Sequence, residues 1–200
     1  MNNVKIITFF GEDADPKMLK AQARVMRKFN IPHEQILTEL SHSEAIDCYL
    51  KLHKADVYMF FDLDCIPLCR DVIDLATLCT LQGNIIGCAQ NANHIQDSLD
   101  YASSFFIAFD ETSYKRMGRP SFAATHRGDV ASEISYSVSR DRLFLIQPSH
   151  VQVPKWKLAN GNLFGLGTTY DDLVYHAFES RYHNESTHMF LKKCEEVLNG

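Results

Sequence analysis

The sequence predicts an α/β protein with a mostly parallel central sheet and helices on both faces. Short apolar runs, typical of strands buried on both faces, alternate with segments whose apolar residues recur at helical spacing. Such alternation predicts consecutive strand-helix units. The chain has 200 residues, of which 46% are hydrophobic and 22% charged. A chain of this length can bury a hydrophobic core as one domain without disulfides. No internal repeat or linker divides it.

The first half of the chain carries the clearest signals. Val4 to Phe10 is a β-branched and aromatic run, which predicts the first strand. Asp15 followed by Pro16 predicts the start of a helix, because aspartate is a good N-cap and proline suits the first helical position. Ser41 to Glu44 has the form of a capping box and predicts a second helix. Between the two helices, Gln35 to Leu37 is predicted to be a short strand.

The remaining elements follow from the same patterns. The further predicted strands are Asp56–Phe61, Asn84–Ala89, Ser103–Phe109, Leu143–Ile146 and Leu173–Phe178. The further predicted helices are Cys69–Leu81, one that starts at Asp129, and one that is capped by Ser186. The Gly- and Asn-rich segment Ala159–Thr169 is predicted to be a loop that closes over a ligand.

Charge and composition limit the partners. The formal net charge of −5 and the lack of a basic run argue against a nucleic-acid partner. The N-terminal apolar run is too short for a signal peptide, and no stretch has the length of a transmembrane segment. Six cysteines without a CxxC pair are typical of reduced thiols. We therefore expect a cytoplasmic protein.

The segment YMFFDLDCIPL ends the third predicted strand with two aspartates, Asp62 and Asp64. In open α/β sheets, ligands bind at the carboxyl ends of the strands. Two carboxylates at a strand end cannot both be buried as anions unless something positive faces them. The pair is therefore predicted to hold a divalent cation against a phosphate-containing ligand, or else to cap the following helix and face water.

This segment resembles the DxD motif of the GT-A glycosyltransferases. Four stretches carry the resemblance in order along nearly the whole chain: KIITFF, FFDLDCIPL, GCAQNANHI and DLVYHAFESR. The resemblance implies a Rossmann-like GT-A fold over residues 1–200, with a nucleotide-binding half (1–95) and an acceptor-side half (96–200). It also implies an enzyme that moves a sugar from a nucleotide-sugar donor, with UDP-sugar as the expected donor. The acceptor would be a hydroxyl of a glycan, lipid or protein.

The resemblance also implies a set of metal ligands. In the GT-A enzymes the second aspartate of the motif binds Mn²⁺ or Mg²⁺ directly, which corresponds to Asp64. The first aspartate contacts the ribose or the metal shell, which corresponds to Asp62. His176 is the expected third ligand, because imidazole suits Mn²⁺ and the last strand returns to the same sheet end. A hydrogen-bonded core histidine is the alternative for this position.

Three residues are expected to contact the donor. Thr8 and Phe9 end the first strand, and the resemblance implies that this position meets the base and the ribose. Arg181 follows the strand that carries the predicted histidine ligand. Its guanidinium is expected to contact the diphosphate, although a solvent-exposed arginine would explain it equally well.

An inverting transferase needs a carboxylate that removes the proton from the acceptor hydroxyl. Asp129 and Glu133 are the candidates, since the predicted helix would place them one turn apart on one face. The alternative is that Asp129 is an ordinary N-cap and Glu133 a solvated charge. A retaining enzyme needs no such base, so the stereochemistry stays open.

Two other functions remain open. FFDLDCIPL also resembles the first motif of haloacid dehalogenase-type phosphatases, in which Asp62 would be the nucleophile. Asp171 and Asp172 would then imitate the late acidic motif of that family. The other possibility is a nucleotide-sugar-binding domain without turnover.

Overall fold

The computed structural model describes residues 3–200, so the first two residues of the predicted domain lie outside it. The strands are β1 (Val4–Phe10), β2 (Glu34–Leu37), β3 (Val57–Phe61), β4 (Cys65–Pro67), β5 (Ile85–Gln90), β6 (Tyr101–Asp110), β7 (Leu143–Ile146), β8 (Pro148–Lys157), β9 (Leu163–Tyr170) and β10 (Val174–His176). The helices are α1 (Pro16–Lys28), α2 (His42–Leu52), α3 (Asp71–Leu81), α4 (Glu111–Arg116), α5 (Ser132–Tyr136) and α6 (Asn184–Asn199). Within residues 3–200, none of these helices combines the length and the apolarity needed to cross a lipid bilayer.

The larger sheet has six strands in the order β2-β1-β3-β6-β5-β7. The pairs β1–β2, β1–β3 and β5–β7 are parallel. The two pairs that involve β6 are antiparallel. The predicted mostly parallel sheet is confirmed, with one reversed strand at its centre. Because β6 lies between β3 and β5, the two halves of the chain share this sheet.

Side chains of β3 alternate between two hydrophobic cores, one on each face of the large sheet. Met59 and Phe61 pack on the face covered by α3, whereas Tyr58 and Phe60 pack on the face covered by α2, α4 and α5. All five residues of β3 are buried. The predicted helices on both faces are confirmed, and β3 is the central strand that carries the aspartate motif at its end.

The smaller sheet is antiparallel, in the order β4-β10-β9-β8. Its strand β9 contradicts the predicted flexible loop Ala159–Thr169. A glycine-rich stretch forms a strand here because the backbones of β8 and β9 approach closely. A Cβ at Gly165 would lie 2.2 Å from the carbonyl oxygen of Val153. Strands β4 and β8 were not predicted from the sequence.

The predicted capping residues mark the starts of α1 and α2 correctly but not those of α5 and α6. Asp15 caps α1 by accepting a hydrogen bond from the backbone of Lys17 at 2.8 Å, as predicted. The capping box before α2 is also present. The predicted helix start at Asp129 is wrong, because Ala131 takes a left-handed φ of 71° and α5 begins after it. Likewise α6 begins two residues before the predicted cap, Ser186.

A buried polar contact joins β1 to the segment before β2. Thr8 is fully buried, and its Oγ1 lies 3.0 Å from His33 Nε2. Burial lowers the pKa of His33 from 6.5 to about 4, against the opposing charge of Glu34. The imidazole therefore stays neutral in the folded protein near neutral pH.

This contact predicts a pH dependence of stability. The unfolded chain protonates His33 near pH 6.5 and the folded chain only near pH 4, so the unfolded state binds the proton more readily. The contribution should be complete above pH 6.5 and lost as the pH falls toward 4. We expect denaturant titrations to show that His33→Gln loses less stability than the wild type over this range. His188→Gln, which alters an exposed histidine, is the control. Parallel curves for His33→Gln and the wild type would contradict the assignment.

Candidate metal centre and donor cleft

A tight turn holds the two aspartates directly after β3. The backbone NH of Cys65 donates to the carbonyl of Asp62 at 3.1 Å, which closes the turn. The NH of Asp62 donates to the carbonyl of Phe105 on β6 at 3.0 Å, and the carbonyl of Asp64 accepts from Ala177 at 3.0 Å. The turn is therefore fixed both to the large sheet and to the segment after β10.

Strand pairing brings His176 to this turn. β10 runs antiparallel to β4, and the register places His176 opposite Cys65. The ring stacks on Phe105 with a centroid distance of 4.0 Å and lies 4.0 Å from the ring of Phe178. Its Nε2 is 3.0 Å from Oδ1 of Asp64, and only 6% of the side chain is exposed. The aromatic neighbours thus fix the direction in which the imidazole points.

Asp62, Asp64 and His176 form a compact group of possible metal ligands. One ligand atom from each lies within 4.8 Å of the others. Ser180 Oγ donates to Oδ2 of Asp64 at 2.7 Å. His42 Nε2 lies 3.1 Å from Oδ1 of Asp62, at an angle that does not make a hydrogen bond. Each carboxylate therefore has an imidazole beside it.

The two carboxyl groups differ in their acidity. Burial raises the pKa of Asp62, and the negative charge of Asp64 adds to this effect while His42 opposes it. Burial would also raise the pKa of Asp64, but the imidazole of His176 and hydrogen bonds from His176 and Ser180 outweigh it and hold the pKa at about 2. Asp64 is thus the more acidic of the two, whereas the surroundings of Asp62 disfavour its ionised form.

The donor set fits Mn²⁺ or Mg²⁺. These ions take carboxylate oxygens, and Mn²⁺ also takes imidazole, while phosphate oxygens and water complete the octahedral shell. Oδ1 of Asp62 is a buried atom without a hydrogen-bond partner among residues 3–200, as an atom intended for a cation would be. The alternative that the aspartates cap the following helix is wrong. β4 intervenes before α3, whose N-cap position is Arg70.

Two adjoining cavities open at this edge of the large sheet, beside the ends of β1 and β3. The one that contains the aspartates has a volume of about 520 Å³, and its neighbour about 630 Å³. Both volumes lie in the range of small-molecule sites, roughly 300–1,000 Å³. The residues that line both cavities are Phe9, Phe10, Gly11, Asp13, His42 and Arg181. The two cavities together form one cleft, which we call the donor cleft because the sequence analysis predicts donor contacts from residues that line it.

Two of the three residues predicted to contact the donor line this cleft, and one does not. Phe9 and Arg181 line it, and Arg181 Nη2 lies 3.2 Å from Asp13 Oδ1 on the exposed side. Thr8 does not, since its side chain is fully buried against His33. The expected contact of the Thr8 side chain with a base or ribose does not fit this geometry. The next two residues of β1, Phe9 and Phe10, line the cleft instead.

The two predicted bases are not neighbours on one helix face, because α5 begins after Asp129. Glu133 pairs with Arg127 and accepts a hydrogen bond from Thr125 at 2.7 Å. The hydrogen bond from Arg127 lowers the pKa of Glu133, which makes it a weaker base. Asp129 is 40% exposed at its side chain and lies 3.6 Å from His94. Of the two carboxylates, Asp129 is the more available.

The position of Asp129 can be followed along β6. Its charge raises the pKa of Tyr101, after the larger effect of burial. Tyr101 precedes Phe105, the β6 residue bonded to Asp62, by four positions. At roughly 3.3 Å per residue, this is about 13 Å along the strand. Asp129 therefore lies beyond the metal group, toward the start of β6.

His42 and Ser180 are site residues that the sequence analysis missed. His42 is the first residue of α2 and lines both cavities of the donor cleft. Its signal was its position, in the segment that leads from β2 into α2 and inside a recognised capping box. Ser180 had no signal beyond lying one position before Arg181.

No protein-family model matches the chain, and no curated protein matches it. Solved structures do. A mannosyltransferase from Pyrobaculum calidifontis, in complex with GDP-Man and Mn²⁺, is 11% identical with a TM-score of 0.50; the match covers 72% of this chain and 54% of that one. A Bacillus anthracis protein described as a glucose-1-phosphate thymidylyltransferase is 11% identical with a TM-score of 0.48; the match covers 73% of this chain and 87% of that one. TarS from S. aureus is 8% identical with a TM-score of 0.44; the match covers 98% of this chain and 69% of that one.

The likeness to the mannosyltransferase concerns the fold. The chain spans about half the length of that protein. The six-stranded sheet of this chain is mixed and mostly parallel. The resemblance found in the sequence is confirmed at this level: the chain has a GT-A-like fold, with Asp62, Asp64 and His176 grouped at the carboxyl edge of its sheet.

Proposed function

We propose that the protein is a metal-dependent glycosyltransferase that moves a sugar from a nucleotide-sugar donor to an acceptor hydroxyl. The observation that carries the proposal is the grouping of Asp62, Asp64 and His176 at the strand end where GT-A enzymes have their DxD motif. Neither carboxylate caps a helix, and both face a cleft of suitable volume. His176 and Ser180 give Asp64 its hydrogen bonds, but Oδ1 of Asp62 has no such partner among residues 3–200, and a cation would supply one.

Asp64 and His176 would hold Mn²⁺ or Mg²⁺ directly, with Asp62 beside them. When bound, the metal would neutralise the charge that develops on the departing nucleoside diphosphate. Ser180 keeps Asp64 oriented through its hydrogen bond, and the aromatic contacts of Phe105 and Phe178 keep the imidazole in place. Because these side chains are already fixed, binding of the metal needs little rearrangement.

The charge of the cleft supports a metal-bound donor. Asp13, Asp15 and Glu179 line the same cavity as the two aspartates of the motif. The arginine that faces them is Arg181, which already pairs with Asp13. A diphosphate without a cation would be repelled by this surface, since like charges at short range oppose binding. The donor is therefore expected to bind as its metal complex.

The donor is expected to be a UDP-sugar. A GDP-sugar has equal claim to be tested, because the mannosyltransferase with the similar fold was solved with GDP-Man and Mn²⁺. Phe9 and the neighbouring Phe10 provide apolar surface next to the metal group, where a base and ribose would lie. The acceptor would be a hydroxyl of a glycan, lipid or protein that enters from the side of Asp129.

The phosphatase alternative has less support. It needs Asp62 as a nucleophile and a late acidic motif close to it. Asp171 and Asp172 lie in the turn between β9 and β10, and Asp171 accepts a hydrogen bond from the backbone of Gln147. They belong to neither cavity of the donor cleft. A binding domain without turnover would share the metal site but not the base.

The first prediction of this proposal concerns metal dependence. We expect one of a panel of UDP-, GDP- and dTDP-sugars to raise the melting temperature in the presence of Mn²⁺ and not in excess EDTA. A ligand that binds only the native state stabilises it by RT ln(1 + [L]/Kd), so the melting temperature rises with the ligand concentration. Asp64→Asn should abolish this shift while the protein remains folded. Glu195→Gln, which changes an exposed carboxylate of α6, is the matched control.

Two results would reject that prediction. Equal stabilisation by the nucleotide-sugar with and without EDTA would show that no metal is required. Hydrolysis of a generic phosphomonoester, together with a beryllium fluoride adduct at Asp62, would favour the phosphatase instead.

The second prediction concerns the base. If Asp129 removes the proton from the acceptor, Asp129→Asn should lower transfer by roughly 10²-fold at unchanged donor affinity. Because Asp129 does not cap α5, Asp129→Ala should change the free energy of unfolding by no more than about 0.5 kcal/mol. Transfer rates and urea titrations measure the two effects. Glu133→Gln is the comparison, and a loss of transfer in that variant alone would move the role to Glu133. Normal transfer by both variants would point to a retaining mechanism.

A further inference from the structure

Gln22 is a fully buried glutamine on the apolar face of α1. Its helical neighbours on this face are Met18, Val25 and Met26, which are all buried. A primary amide in such surroundings destabilises the fold unless each of its polar atoms has a partner. The partners of Gln22 therefore indicate what the residue is for.

The amide nitrogen of Gln22 binds the backbone of the aspartate turn. Nε2 donates to the carbonyl of Asp62 at 2.7 Å and to the carbonyl of Cys65 at 2.9 Å. These carbonyls belong to the first and the last residue of the turn. One side chain thus joins the two ends of the segment that carries Asp62 and Asp64.

The other end of the amide is also held. Gln35 on β2 donates to Oε1 of Gln22 at 3.0 Å, and the same Gln35 nitrogen lies 3.0 Å from the carbonyl of Leu19 on α1. Oε1 is consequently an acceptor, which orients Nε2 toward the turn. Helix α1, strand β2 and the aspartate turn are connected through this pair of glutamines.

We propose that Gln22 is a positioning residue, which sets the distance and direction between the carboxylates of Asp62 and Asp64 and so determines the affinity for metal. This inference rests on the proposed function, because it supposes that the carboxylates bind a cation. The turn makes two other backbone hydrogen bonds. The carbonyl of Asp64 accepts from the NH of Ala177, and the NH of Asp62 donates to the carbonyl of Phe105. Gln22 is the side chain that bonds both ends of the turn.

The geometry explains why this matters for metal binding. Ligand carboxylates that start in place bind an ion more tightly than ligands that must first be ordered. Without Gln22, the carbonyls of Asp62 and Cys65 would be buried without its two bonds, and the turn would relax to satisfy them. Groups that orient metal ligands from outside typically change metal affinity by roughly 10- to 100-fold when they are removed.

The test compares two variants that each remove two hydrogen bonds to backbone at opposite ends of β3. Gln22→Met keeps the length of the side chain and removes the amide. Tyr58→Phe removes the bonds of the buried hydroxyl to Ala55 at 3.1 Å and His53 at 2.9 Å, far from the aspartates. Hydrogen exchange of the Cys65 amide is measured without metal, and the Mn²⁺ dissociation constant by electron paramagnetic resonance titration.

We expect Gln22→Met to raise the Mn²⁺ dissociation constant by roughly tenfold or more and to speed exchange of the Cys65 amide. Tyr58→Phe should change neither, although it lowers stability. An unchanged Mn²⁺ affinity in Gln22→Met would overturn the inference and leave the proposed function standing. If the wild type binds no Mn²⁺, the proposed function fails. Amide exchange then decides on Gln22, since unchanged exchange would overturn its role in the turn.

If Gln22→Met does not fold, Gln35→Met gives the second measurement. This change leaves Gln22 in place but removes the donor that orients its amide. A smaller loss of Mn²⁺ affinity and a smaller increase in exchange are expected. Wild-type values for both in a folded Gln35→Met would contradict the proposed orientation of Gln22.

Discussion

Two carboxylates lie side by side at the end of a buried strand, and the arrangement around them follows from their charge. Burial and mutual repulsion both oppose two anions at this place. The protein answers by placing the imidazole of His176 and the hydroxyl of Ser180 against Asp64, and His42 near Asp62. Asp64 is thereby held ionised, whereas Asp62 keeps a raised pKa and a buried oxygen without a partner. A divalent cation is the simplest group that would stabilise both.

Distant parts of the chain are needed to build this arrangement. α1 supplies Gln22, β3 supplies the aspartate turn, β6 supplies Phe105, and β10 supplies His176. The pairing of β10 with β4 is the essential step, because its register places His176 beside the residue that follows Asp64. The small sheet thus places His176, from late in the chain, at the carboxyl edge of the large sheet. A change of this register by one residue would point the imidazole away from Asp64.

Local signals in the sequence predicted the elements that local chemistry determines. Continuous apolar runs identified β1 and β3, the capping residues Asp15 and Ser41 identified α1 and α2, and the paired aspartates identified the ligand-binding edge. Elements that depend on long-range strand pairing were not predicted. β9 is a strand because its glycines allow close contact with β8, and β4 exists because β10 pairs with it. The left-handed Ala131 before α5 has no signature in its neighbours, and neither the orphaned oxygen of Asp62 nor the contacts of Gln22 can be seen without the fold.

The central claim is that Asp62, Asp64 and His176 hold a divalent metal ion. Anomalous diffraction near the manganese absorption edge, from crystals grown with Mn²⁺, tests it most directly. The account predicts one strong anomalous peak between the carboxylate of Asp64 and Nε2 of His176, next to Asp62, which disappears in crystals of His176→Gln. A Mn²⁺ peak elsewhere, or no peak beside these three side chains at saturating Mn²⁺, would contradict it.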